Sequence, residues 1–259
     1  MVETELDELE ILRPRRAHFH WVFPLFFKPR ATLEKVAAHE KPAWFTPILI
    51  LSLLAILFVM VSGPVRAMEA QANIEPPPDF EWWDPATQEE WFASQATRSG
   101  PLLIYVLPAV GALAGVWISW FLLGSILHLA LTMAGSRGSY TAVLNLTAWA
   151  SLPFAVRTLV RTIALLTSQR LITAPGLSGF IAADAEGAGA FLAPLLARVD
   201  IYLIWQIVLL MIGVLPLTGL KRGKAWTVVI IAVILVVILL AVPGFISLRF
   251  SGLNITRMF

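Results

Sequence analysis

Two arginines four residues apart, Arg157 and Arg161, stand in an otherwise apolar run, Thr141 to Thr167, long enough to cross a bilayer. That spacing puts both guanidinium groups on one face of a helix. A cation at the centre of a membrane helix costs about 2.5–3.5 kcal/mol on insertion scales, so this face must meet water, headgroups or a carboxylate. With about 20 residues per crossing, Arg161 falls near the far boundary and Arg157 one turn inside it. Both can snorkel from there. Asp200, which opens the next apolar run, is the acid placed to join them in a polar cluster. Such a cluster would tie two spans together or, alternatively, line a route for a small solute or ion. His128 and Asn145, each inside an apolar run, are the further candidates for that route. Each also suits a structural hydrogen bond between helices.

Other chemistry is missing. The chain has no cysteine, so it forms no disulfide, thiolate metal site or thiol nucleophile. It has no phosphate-binding glycine loop, no dinucleotide fingerprint, no nucleophile elbow and no His-Glu-x-x-His. His18, His20 and His39 lie together near the amino end, and the first two are too close in sequence to share a helix face. The residues call for no cofactor and no enzymatic role. A net charge of +2 gives no reason to expect nucleic acid as a partner.

The elements that must hold these groups are membrane helices. Of 259 residues 58% are hydrophobic and 14% charged, a balance rare in water-soluble domains. Mean hydropathy is +0.78. The fold expected is an all-α, polytopic transmembrane bundle of five helices with an interfacial pre-helix. Residues 1–30 form a tail, acidic over the first ten residues, then basic at Arg13, Arg15 and Arg16, then rich in Phe and Trp. Aromatics beside cations suit the headgroup layer of an anionic leaflet. No cleavable leader is expected. Residues 31–40 read as a short helix with Leu33, Val36 and Ala37 on its apolar side. Spans are expected at about 43–62, 102–134, 141–167, 200–219 and 225–247 of the membrane domain 31–259. Gly63-Pro64 should end the first span and Pro243-Gly244 the fifth. The second is too long for an upright crossing and should tilt, continue past the membrane or break near Pro108. Gly111, Gly115 and Ser119 make a small-residue stripe suited to close helix packing. In the acidic loop after span one, Asp84-Pro85 should start a helix. Residues 191–197 are too few to span and read as interfacial or re-entrant. The fifth span, almost all Val, Ile and Leu, should face lipid.

Eleven Lys and Arg fall in the amino-terminal segment and the 135–140 and 220–224 turns, against six in the two long loops and the carboxyl tail, or eight with Arg157 and Arg161 at that boundary. The positive-inside rule then places the amino terminus in the cytoplasm and the carboxyl terminus outside.

Three stretches carry a family resemblance: FFKPRATLEKVAAHEKPAWFTPILIL (26–51), SYTAVLNLTAWASLPFAVRTLV (139–160) and VDIYLIWQIVLLMIGVLPLTGLKRGKAW (199–226). Within them stand Pro29-Arg30-Ala31-Thr32-Leu33, Trp44-Phe45-Thr46-Pro47, Ala150-Ser151-Leu152-Pro153 and Asp200 ahead of Trp205. The chain resembles the Yip1 domain family of five-span membrane proteins, and is more similar to its shorter prokaryotic members. The resemblance implies a non-enzymatic scaffold or adaptor in the cell membrane, working with membrane lipids and with membrane proteins as homo- or hetero-oligomers. Eukaryotic relatives act in vesicle traffic with prenylated Rab GTPases. Their acidic Asp-Leu-x-Gly-Pro-type motif is absent from this tail, so no Rab-binding residue carries over.

Overall fold

The computed structural model describes residues 17–39, 41–72, 76–98, 100–181 and 188–251. The acidic start and Arg13, Arg15 and Arg16 lie outside them. All regular structure among these residues is helical, and five helices are long and apolar enough to cross a membrane. The chain is a multi-pass integral membrane protein.

A 3-10 turn, Phe19–Trp21, leads into α1 (Val22–Phe27) and α2 (Pro29–Ala37), which starts with proline at a first helical position. The first span is α3 (Phe45–Ala72), followed by a loop helix α4 (Pro85–Arg98). As expected, Asp84 caps α4, its Oδ1 accepting from Thr87 N at 2.9 Å. The second span is a π-helical turn, Leu102–Val106, running into α5 (Leu107–Met133). Pro108 has no N–H for the carbonyl four residues back, and the irregular turn sits just ahead of it. The third span is two helices, α6 (Tyr140–Ala150) and α7 (Pro153–Ser168), parted at Pro153. A short α8 (Ala188–Leu196) precedes the fourth span, α9 (Ile201–Thr218), and the fifth, α10 (Arg222–Ser251).

Two expected stops are not stops. The first span runs on through Gly63-Pro64 to Ala72, and the fifth runs through Pro243-Gly244 to Ser251. A proline removes one amide donor, and neighbours that pack on the helix can carry it past that loss. The glycines serve packing instead. A Cβ on Gly63 would collide with the Tyr105 ring, and one on Gly244 would stand 3.1 Å from Pro194 Cβ.

Contacts sort the chain into two compact units. The first comprises Met1–Ile50, Trp120–Leu152 and Ile204–Leu239. Its hub is α6, whose Ala142, Val143 and every residue from Asn145 to Ala150 are buried. Small alanines let neighbours approach closely. Gly213 lies against Leu146, and Gly124 lies against Leu144. Trp120 Nε1 donates to Leu144 O at 3.0 Å, and Trp226 Nε1 donates to Met211 O at 3.1 Å. The second unit comprises Leu51–Ser119, Pro153–Leu203 and Leu240–Phe259. Here Phe80 gathers Trp83, Trp91 and Phe92 beside α4, and Leu177 N donates to Val199 O at 3.0 Å.

Large apolar side chains such as Leu57, Met60, Phe121, Ile163, Ile231 and Ile234 are exposed, as lipid-facing residues must be. The fifth span is not wholly lipid-facing, because Ala225, Val229, Ala232, Val233 and Val236 are buried. An all-apolar sequence marks a helix as membrane-spanning without saying which face packs on protein.

Candidate functional site

The amino-terminal segment is fastened to α6 by polar groups in an apolar setting. Asn145 Oδ1 accepts from Ala43 N at 2.7 Å, and Nδ2 donates to Lys41 O at 2.9 Å and His39 O at 3.4 Å. One turn on, Trp149 Nε1 donates to Ala43 O at 3.1 Å. Both side chains are fully buried. Pro42 breaks the backbone here, so Lys41 and Ala43 have bonding groups that no helix satisfies, and Asn145 and Trp149 supply the missing partners. Leu33 and Val36 of α2 and Leu25 of α1 are buried, as the sequence indicated for α2, while Glu34 and Lys35 face outward.

His18 closes this arrangement. Its backbone N donates to Thr46 Oγ1 at 2.8 Å, and its ring stacks on Trp21 with centroids 4.3 Å apart. The His39 and His20 rings stand 5.0 and 5.9 Å away. Burial first, then the charges of His39 and His20, holds the His18 imidazole below its usual range. The described residues contain no group of His, Asp and Glu side chains able to hold a metal ion. The outward side of the same segment is apolar: Phe19, Phe23 and Phe27, four residues apart, are 53%, 75% and 81% exposed, next to exposed Lys28 and Arg30.

In the second unit the structure joins Arg157 to Asp200, Nη1 to Oδ2 at 3.1 Å. Asp200 Oδ1 accepts from Leu203 N at 2.9 Å, capping α9. The Arg157 guanidinium also lies over the Phe154 ring, 4.5 Å from its centroid. Arg161 is not in that pair. It lines a cleft with Arg66 and Arg170. Arg198, beside Asp200 in sequence, is held below the usual guanidinium range by burial and by the charge of Arg157.

His128 and Asn145 each have partners within the first unit. Both amide hydrogens of Asn145 are engaged by backbone carbonyls, and the His128 ring meets the Tyr140 ring at 5.1 Å. Of the small-residue stripe, Ser119 is half-buried and the two glycines are open among the described residues. Gly111 and Gly115 are exposed, and a Cβ on either would meet no described atom within 4 Å. Close approach is made at Gly63, Gly124 and Gly213 instead, because regular spacing on an apolar helix marks a smooth face without saying which neighbour uses it. Sequence reasoning missed Trp149, Ser151 and Gln206. Gln206 Nε2 donates to Ser151 Oγ at 2.8 Å, and Ser151 Oγ donates to Thr147 O at 2.8 Å. An amide inside the apolar run of span four was the available signal.

No curated protein and no solved structure matches the chain. A profile of the Yip1 domain matches residues 23–243, from α1 through Pro243 of the fifth span, so the match takes in the fastened amino-terminal helices together with the membrane helices. With that match extending over most of its length, and with five apolar helices behind a short amino-terminal pre-helix, the chain belongs to the Yip1 domain family.

Proposed function

We propose that the protein is a non-enzymatic membrane scaffold or adaptor that organises lipids or partner proteins, with its amino-terminal segment as the docking element. One observation carries this reading: a rigidly fastened segment presents Phe19, Phe23 and Phe27 outward beside Lys28 and Arg30. Each phenyl gains roughly 1.5–3 kcal/mol when fully buried, so a surface that shelters all three is strongly favoured. The neighbouring cations suit the negative surface of a cytoplasmic leaflet. The Lys and Arg residues of the amino-terminal segment and of the turns bearing Arg137, Lys221 and Arg222 support a cytoplasmic amino side and a carboxyl terminus outside. Arg157 and Asp200 then have a structural task, joining the third and fourth spans.

The absence of cysteine makes the test simple. A Phe23→Cys variant carries an environment-sensitive fluorophore in nanodiscs of phosphatidylcholine with or without phosphatidylglycerol. A blue shift that grows with anionic lipid is the result expected for leaflet docking. Loss of a co-purifying membrane protein on Phe23→Ser/Phe27→Ser marks partner docking. A label that stays in water, together with an unchanged set of neighbours for the double variant, overturns the reading.

A further inference from the structure

We propose that the cleft bordered by Arg66, Arg161 and Arg170 binds a phosphate group, either of a phospholipid or free in solution. The cleft lies within the second unit and has a volume of about 220 Å³. That is smaller than the roughly 300–1,000 Å³ of pockets that enclose a drug-sized ligand, and it suits one compact anionic group. Three guanidinium-bearing side chains line it, and none of the three forms an ion pair or a side-chain hydrogen bond among the described residues. Asp200 is the acid whose charge reaches Arg161, but it is shared, with one oxygen held by Arg157 and the other by the Leu203 amide. Arg157 sits on that carboxylate, and its charge is felt in turn by Arg198. Cations that outnumber the one shared carboxylate repel one another, and an oxyanion placed among them relieves that repulsion. A guanidinium fork matches the geometry of phosphate oxygens and is less strongly hydrated than an ammonium.

The remaining walls narrow the chemistry. Phe58, Leu165 and Ile172 line the same cleft, with Leu165 buried. Phe58 lies in the apolar stretch of the first span and Arg66 two turns further on, in the same helix. Arg161 lies about two turns before the end of α7 at Ser168, and Arg170 just beyond that end. The cleft therefore joins an apolar wall to a cationic rim where two spans leave the hydrocarbon. That gradient matches the change from acyl chain to phosphodiester in a phospholipid, while the rim alone would hold inorganic phosphate. This site is independent of the amino-terminal segment and of any docking by it.

The experiment uses the full-length protein in nanodiscs and reads thermal stability and bound lipid by native mass spectrometry. In one arm phosphatidylcholine is partly replaced by phosphatidylglycerol. In the other, phosphatidylcholine nanodiscs receive millimolar inorganic phosphate against chloride at equal ionic strength. Stabilisation and retained lipid in the first arm alone identify a phospholipid site. Stabilisation in both arms, or in the second alone, identifies a site for which the phosphate group suffices. Arg161→Gln should weaken the effect about tenfold. Exposed Arg170→Gln, which disturbs no packing, should weaken it in the same direction, whereas Lys224→Gln in the other unit should leave it unchanged. No stabilisation in either arm, or an equal response from Arg170→Gln and Lys224→Gln, overturns the proposal.

Discussion

Asp200 meets two demands with its two oxygens. Oδ2 holds Arg157, and Oδ1 holds the Leu203 amide at the start of α9. The two tasks separate by substitution. Asp200→Ala removes both and should cost about 3 kcal/mol, since it strands a half-buried guanidinium as well as an amide. Asp200→Asn keeps an oxygen for the cap and should cost about 1 kcal/mol less. Thermal unfolding in detergent measures both against Glu89→Ala, an exposed position that should change little. His18 supplies a second residue-scale expectation. Its folded-state pKa lies below the free value of 6.5, so as pH falls the unfolded segment takes up the proton first. Stability of the segment is complete above that value and declines below it. Trypsin cleavage at Arg30, which Ala31 follows, should therefore speed up between about pH 7.5 and about pH 5.5, after correction for the enzyme's own pH profile. His18→Phe should flatten that response. The sequence leaves Arg157 and Arg161 either snorkelling or clustered with Asp200, because a charge in an apolar run demands a polar neighbour without saying which; the structure pairs Arg157 alone with Asp200. The partners of Asn145 were not legible, because they are backbone groups more than a hundred residues away and backbone leaves no compositional trace.

At the scale of the element, number and order of spans followed from hydropathy, whereas the third span reads as one run, 141–167, and is parted at Pro153. The ends of spans one and five did not follow, because a Gly-Pro or Pro-Gly pair reads as a stop unless a neighbour is known to use the missing Cβ. Gly63 and Gly111 separate these cases. Gly63→Ala forces the methyl into the Tyr105 ring and should cost about 1–3 kcal/mol in thermal unfolding. Combining it with Tyr105→Ala should cost less than the two single changes together. Gly111→Ala meets open space in the chain, so in the purified monomer it should be neutral or slightly stabilising through helix propensity. The pre-helix was visible from Leu33 and Val36, but the protein surface that receives them was not, since amphipathic spacing is the same whether the opposite surface is lipid or protein.

For the whole molecule, the loops expected on one side of the membrane by charge fall in one compact unit, and those expected on the other side fall in the second. Single cysteines in this cysteine-free chain test the orientation. Gly223→Cys should resist a membrane-impermeant thiol reagent in intact cells, and Ser178→Cys should react. The reverse pattern would invert the topology. The family match adds the architecture of the Yip1 domain over residues 23–243.

The link between Ala43 and Asn145 has a consequence for synthesis. Its two halves are separated by 102 positions, so when the opening helices leave the ribosome the asparagine that will fasten them has not been made. At about 5–20 residues per second this interval is roughly 5–20 s. For that time the phenylalanine-rich leading segment is untethered beside a bilayer already holding the first membrane helix. Its fastening reports that the third has arrived, so a nascent chain truncated before Asn145 should leave the segment open to any chaperone or protease that can reach it.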